Sequence, residues 1–164
     1  DAPLDAVIET IRPAGLANQK GPRLQEVLWR ITKERGQLNI DFLADLPLAE
    51  AKAWLTGLNG VGPKTAAIIL LFAFGRPAFP VDTHVHRLSR RIGLIGPQVS
   101  AEKAHDLMEQ IVPPEEYLDF HLLLIGHGRE VCHARHPRCD ICPLQEYCDY
   151  YRSLVPREDE SLAE

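Results

Sequence analysis

The chain has 164 residues, of which 45% are hydrophobic and 25% charged, and its formal net charge is -5. This composition is typical of a folded globular protein and excludes an intrinsically disordered chain. No stretch approaches the roughly 20 apolar residues of a membrane helix, and the start lacks the pattern of a secretory signal. We therefore expect a cytoplasmic protein with no membrane partner.

Apolar residues recur at helical spacing along most of the chain, and strand-like alternation is absent, which predicts an all-α helical bundle. Asp82 and Ser100 are predicted N-caps, since both precede amphipathic helical patterns. Trp29, Phe72 and Met108 are expected in the core, as are Trp54 and Phe74. In chain order, the predicted helices cover residues 3–12, 22–36, 47–58, 66–74, 83–93, 101–112 and 113–130.

The segment "LNGVGPKTAAIILLFAF", residues 58–74, places two glycines and a lysine before an uncharged run. Gly60 and Gly62 permit positive φ and close approach, so amides around Val61 and at the next helix start can point outward. Such amides form an anion site that holds a phosphate without reading a base. A plain helix hairpin is the alternative interpretation.

Basic residues concentrate in one part of this acidic chain. Residues 60–91 hold one acidic residue, Asp82, whereas the tail from Asp149 onward holds five acidic residues against Arg152 and Arg157. A basic patch can bind phosphate despite a negative net charge, because salt screens distant charges. A solvated face is the simpler interpretation. The basic residues are Lys64, Arg76, Arg87, Arg90 and Arg91.

The four cysteines all lie in the segment "CHARHPRCDICPLQEYC", with the spacing C-x6-C-x2-C-x5-C at Cys132, Cys139, Cys142 and Cys148. In a cytosolic chain this clustering favours shared metal ligation over disulfides. Zinc and an iron-sulfur cluster both accept four thiolates. The wide spacings favour the larger iron-sulfur cluster, and zinc remains the alternative.

Together, "LNGVGPKTA", the aspartate of "VDTHVHR" and the cysteine pattern resemble the endonuclease III family of helix-hairpin-helix DNA glycosylases, from about residue 3 to 150. The resemblance implies that Lys64 is the catalytic amine and Asp82 the catalytic carboxylate. It implies that Gly60, Val61 and Gly62 hold a DNA phosphate, and it ranks His84 and Arg87 as further DNA contacts. It also implies that the four cysteines bind a [4Fe-4S] cluster.

This family implies a base-excision-repair glycosylase with abasic-site (AP) lyase activity on damaged, oxidised pyrimidines. Its partner is double-stranded DNA that carries damaged bases or abasic sites, and the expected location is the bacterial nucleoid. The protein is expected to be a monomer. Its predicted domains are a helical domain over residues 20–112 with a helix-hairpin-helix at about 47–75, a cluster-bearing domain over 1–19 and 113–150, and an acidic tail over 151–164.

The chemistry assigns separate tasks to the two catalytic candidates. A carboxylate stabilises the positive charge that develops on the sugar as the N-glycosidic bond breaks. A neutral amine attacks the sugar and forms a Schiff base that permits β-elimination. A helix N-terminus and desolvation both favour the neutral form of Lys64. For Asp82, a helix cap is the simpler alternative.

Two departures from the family pattern bear on function. Asn59 stands where the family usually has proline, and nothing in the chain matches the family's N-terminal helices with their glutamine-bearing lesion-probing segment. We therefore expect the chain to be a truncated form or a fragment of a longer protein. Two other functions stay open: a non-catalytic DNA-binding module with a structural metal, and a relative of the adenine-mismatch glycosylases.

Overall fold

A computed structural model describes residues 2–155, and over this range the protein is helical, with no strand. The all-α prediction is confirmed. No helix in the described range has the length and apolarity needed to cross a membrane. The helices are α1 Leu4–Ile11, α2 Ala17–Arg35, α3 Leu48–Thr56, α4 Pro63–Ile68, α5 Thr83–Ile92, α6 Ala101–Ile111, α7 Tyr117–Glu130 and α8 Asp149–Leu154.

The backbone divides into two compact units between Ala66 and Ala67, inside α4. The sequence placed domain boundaries elsewhere, near residues 19 and 112, and those boundaries stay a prediction. Helix α8 includes the first residues of the predicted acidic tail, so the chain is helical to Leu154. The rest of that tail, residues 156–164, lies outside the described residues.

In the first unit, α1 packs against α2, and α2 begins at Ala17 rather than at Pro22 as predicted. Pro22 lies inside the helix, and Gly21 before it has no Cβ to clash with the proline ring. Gly21 is buried, and a Cβ there would lie 2.7 Å from Cγ1 of Ile8. The same glycine therefore admits the proline and brings the two helices together.

In the second unit, α5, α6 and α7 contribute to a core that includes Phe79, Val85, Leu88 and Met108, all fully buried. Met108 is thus confirmed as a core residue. Trp54 and Phe74, by contrast, are only half-buried.

Two aromatic residues predicted for the core are exposed instead. Trp29, in the first unit, is 63% exposed, and the Lys33 ammonium lies 4.7 Å from its ring centroid. Phe72, in the second unit, is 49% exposed. It lies in a π-helical turn, Ile69–Ala73, that continues α4. A π-turn contains more residues than an α-turn, so residues within it and after it depart from the α-helical spacing on which the prediction rests.

An extended segment leads to Asp82 and is fixed by side chains of α6 and α7. The Phe79 amide donates to Oε1 of Glu109 at 2.9 Å, and the Phe79 carbonyl lies 2.9 Å from Nδ1 of His105. Nδ1 of buried His121 lies 2.9 Å from the Pro80 carbonyl oxygen. Side chains thus supply the hydrogen bonds that a neighbouring strand would otherwise give to the backbone of this extended segment. The start of α5 is held in one position as a result.

Candidate active site and metal centre

The hairpin turn between α3 and α4 has one glycine with positive φ. Gly60 has φ +84°, and the amide of Val61 donates to the Leu58 carbonyl at 3.0 Å. Of the two glycines that permit positive φ, Gly60 adopts it and Gly62 does not, and the Val61 amide is hydrogen-bonded within the turn. The phosphate-binding role of Gly60, Val61 and Gly62 stays a prediction.

Helix α2 braces the hairpin, a feature that the sequence pattern does not reveal. Nη1 of Arg30 donates to the Gly57 carbonyl at 2.6 Å, and Nδ2 of Asn59 donates to Oε2 of Glu26 at 2.8 Å. A Cβ on Gly60 would lie only 2.9 Å from Cδ of Arg23 in α2. A glycine therefore lets the turn approach α2 more closely than any other residue would. Asn59, the departure from the family pattern, thus donates a hydrogen bond to α2 that a proline side chain could not donate.

Lys64 follows Pro63 in the first turn of α4, and its side chain is exposed. The amide of Ala66 donates to the Gly62 carbonyl at 3.0 Å and closes the first turn. Backbone amides before that point in a helix have no carbonyl partner within the helix. The exposed amine therefore lies beside N–H groups that have no partner within the helix and can face an anion.

Asp82 is the N-cap of α5, as predicted. Its Oδ1 accepts a hydrogen bond from the Val85 amide at 2.8 Å, and its side chain is half-buried. Lys64 belongs to the first unit and Asp82 to the second. Asp82 therefore caps α5 in the structure, which is the simpler of its two predicted roles. A catalytic role would have to use the same carboxylate.

Arg87 points toward the end of α7 rather than only to the surface. Its Nη2 donates to the carbonyls of Gly128 at 2.9 Å and Cys132 at 2.8 Å, and lies 3.2 Å from Nδ1 of His84. A Cβ on Gly128 would lie 2.9 Å from the same His84 nitrogen, so these side chains pack tightly on α7. This geometry gives Arg87 a structural role, and DNA contacts by His84 and Arg87 stay a prediction.

Leu16 is a residue that sequence reasoning missed. It has φ +55°, a conformation uncommon outside glycine, and its side chain is 67% exposed just before α2. Backbone strain of this kind concentrates at sites of ligand contact. Leu16 is a candidate contact residue on that ground, and no local sequence signal identifies it.

The four cysteines all line one small cavity. All four are free thiols and half-buried. Burial raises the pKa of Cys139, the other three cysteines raise it further, and Arg91 opposes them. No three potential ligands in the described range lie close enough to hold a single metal ion. A donor set of four sulfurs around a shared space fits an iron-sulfur cluster.

Comparison with known proteins gives two family matches. The profile of the HhH-GPD superfamily base excision DNA repair protein matches residues 1–114. The profile of the iron-sulfur binding domain of endonuclease III matches residues 132–148, which is the segment from the first cysteine to the last.

Relatives and solved structures agree with these matches. Endonuclease III of Sulfolobus acidocaldarius is 33% identical over 150 residues, covering 92% of this chain and 65% of the relative. Endonuclease III of Rickettsia conorii is 47% identical over 100 residues, covering 61% of this chain and 47% of the relative. A solved trapped endonuclease III–DNA covalent intermediate superposes with a TM-score of 0.79 at 32% identity, covering 94% of this chain and 68% of that chain.

The chain spans about half to two thirds of the length of these two curated relatives. The superfamily profile covers most of it, the fold agrees, and the cysteine segment has a profile of its own. The chain therefore belongs to the HhH-GPD superfamily of base excision DNA repair proteins and carries the iron-sulfur binding domain of endonuclease III.

Proposed function

We propose that the protein is a DNA glycosylase with AP lyase activity that removes damaged, oxidised pyrimidines. The observation that carries the proposal is a lysine in the first turn of α4, directly after the braced glycine hairpin, in a chain of this superfamily. A structural relative was solved as a trapped covalent intermediate with DNA, which supports covalent chemistry.

The DNA-binding surface in this proposal is the hairpin. The braced turn presents helix N-terminal amides, and these hold a phosphate without reading the base. The base must leave the stack before its glycosidic bond can be reached. Double-stranded DNA with damaged bases or abasic sites is the partner, bound by a monomer in the cytoplasm at the nucleoid.

Lys64 is the nucleophile in this reaction. Its neutral amine attacks C1′ of the extruded nucleotide, the new N–C1′ bond forms, and the C1′–base bond breaks as the base leaves with the electron pair and takes up a proton. The sugar ring opens to an imine, a proton leaves C2′, and the C3′–O bond breaks in β-elimination.

Asp82 stabilises the positive charge that develops on the sugar. A carboxylate that accepts one hydrogen bond through Oδ1 keeps a second oxygen. The cap therefore fixes the direction of the carboxylate without using all of its capacity to accept.

We also propose that the cluster is [4Fe-4S], bound by Cys132, Cys139, Cys142 and Cys148. When bound, such a cluster supplies a covalent link among distant parts of a short polar loop, which stabilises it. Anaerobically purified protein should hold about four iron atoms per chain. A colourless protein with one zinc ion per chain would contradict this assignment.

Borohydride trapping on abasic DNA tests the enzyme proposal. Reduction of the imine should link the wild-type protein covalently to the strand, and Lys64→Ala should abolish the link while retaining much of the binding. Asp82→Asn should slow base release by roughly 10²- to 10⁴-fold. The protein is assayed both as residues 1–164 and with any further residues that its gene encodes.

Trapping that persists undiminished in Lys64→Ala would assign the chemistry to another amine. One observation favours a second candidate, a non-catalytic DNA-binding module, because the Asp82 carboxylate already has a structural partner. Binding of abasic DNA without any trapping, by either form of the protein, would support that module. Lys64 argues against the adenine-mismatch relatives, which usually carry another residue there.

A further inference from the structure

Arg91, near the end of α5, contacts the segment that starts at the first cysteine. Its Nη1 donates to Sγ of Cys132 at 3.2 Å and to the His133 carbonyl at 2.7 Å. Its Nη2 donates to the Ala134 carbonyl at 3.1 Å. The planar guanidinium fork thus binds one sulfur and two successive carbonyl oxygens, a geometry that a lysine ammonium cannot reproduce.

The same residue also contacts the other end of the cysteine segment. The Arg91 guanidinium carbon lies 4.7 Å from the ring centroid of Tyr150 in α8. Sγ of Cys148 lies 3.3 Å from the Arg91 carbonyl oxygen. The first and last cysteines therefore both lie against one residue of α5.

The neighbouring arginine has no comparable role. Arg90 is exposed, and in the described part of the chain it has no recorded hydrogen bond or ion pair. The two residues share charge, size and helix, and they differ in whether they face the cysteines. Arg90 is therefore the matched control for Arg91.

We infer that Arg91 is a positioning residue that closes the cysteine loop on α5 and raises the reduction potential of the bound cluster. The inference rests on the proposed iron-sulfur cluster. A positive charge and an N–H···S hydrogen bond stabilise the more negatively charged reduced cluster, and both kinds of contact are known determinants of cluster potential. Partners that hold a metal ligand from outside also govern how tightly the metal stays bound.

The test compares Arg91→Met, Arg91→Lys and Arg90→Met with the wild type. The measurements are iron and acid-labile sulfide per chain, the rate at which visible absorption is lost to an iron chelator, and the reduction potential by voltammetry. Arg91→Met should lose the cluster faster, since removal of an outer partner of a metal ligand lowers metal affinity by roughly 10- to 100-fold. Arg90→Met should match the wild type.

The potential separates positioning from a merely structural effect. The intact cluster of Arg91→Met should have a more negative potential, and Arg91→Lys should restore most of the potential but only part of the retention. Arg91→Lys also serves if Arg91→Met yields no folded protein. A variant that loses the cluster faster at unchanged potential, or that behaves as Arg90→Met does, would overturn the inference.

The iron and sulfide content of the wild-type protein separates the role of Arg91 from the proposed iron-sulfur cluster on which it rests. Wild-type protein without iron and sulfide would overturn both. Wild-type protein with the cluster, combined with an Arg91→Met variant equal to Arg90→Met, would overturn the role of Arg91 alone.

Discussion

The Asp82 side chain has two roles: it caps helix α5, and it is the candidate catalytic carboxylate. Asparagine caps a helix nearly as well as aspartate, whereas alanine costs about 1 kcal/mol. Asp82→Asn should therefore keep the free energy of unfolding near that of the wild type, and Asp82→Ala should lower it by about 1 kcal/mol, measured by urea denaturation. Equal losses in the two variants would show that the charge, and not the cap, stabilises α5.

Ser89 is fully buried in α5, and within the described residues its hydroxyl has no hydrogen-bond partner. Burial of an unpaired hydroxyl destabilises a fold, so Ser89→Ala should raise the free energy of unfolding by about 1 kcal/mol. Ser100→Ala is the control, because the Ser100 hydroxyl accepts from the Lys103 amide and caps α6. That variant should lose about 1 kcal/mol. Destabilisation by Ser89→Ala would reveal a partner for its hydroxyl.

Local chemistry and long-range contacts differ in how far the sequence predicts them. The caps Asp82 and Ser100 were predicted correctly, since a cap depends on residues within one turn. The inward orientation of Arg87 could not be predicted, because its acceptors lie 41 and 45 positions away in the chain. The braces on the hairpin were missed for the same reason.

At the scale of the elements, Gly93 ends α5 and combines two constraints. It has φ +98°, and the place where a Cβ would lie is occupied by the Asp149 carboxylate. Gly75, in the same unit, has φ +61° and open space around that place. Gly75→Ala should cost about 1 kcal/mol from the backbone conformation alone. Gly93→Ala should cost more, as measured by urea denaturation.

The background variant Asp149→Ala separates the two constraints at Gly93. With the carboxylate removed, the cost of Gly93→Ala should approach the cost of Gly75→Ala. A difference between the glycines that persists in this background would mean that Asp149 is not its cause.

Helix existence was predicted well, and helix boundaries and phase less well. Pro22 predicts the start of α2, yet the helix begins at Ala17, and Gly21 lacks the Cβ that would clash with the proline ring. The α-helical spacing of Phe72 among other apolar residues predicts a core position. The π-turn changes that spacing, and no residue in the apolar run predicts a π-turn.

At the scale of the whole molecule, the protein is acidic but is proposed to bind a polyanion. Affinity for an abasic duplex should therefore fall steeply as salt rises, with a log–log slope of about -0.9 for each neutralised phosphate. Fluorescence anisotropy across a salt series measures this slope. An affinity that stays constant from low to physiological salt would contradict phosphate binding by the hairpin and the basic residues.

The contacts of Arg91 with both ends of the cysteine segment have a consequence for the evolution of this superfamily. An arginine retained because it faces cluster ligands has no reason to persist once those ligands are lost. In relatives without the four cysteines, the positions equivalent to Arg91 and Tyr150 should vary together, whereas the position of Asp82 should not follow them. An alignment in which the arginine is retained in relatives that lack the cysteines would indicate selection for some other contact.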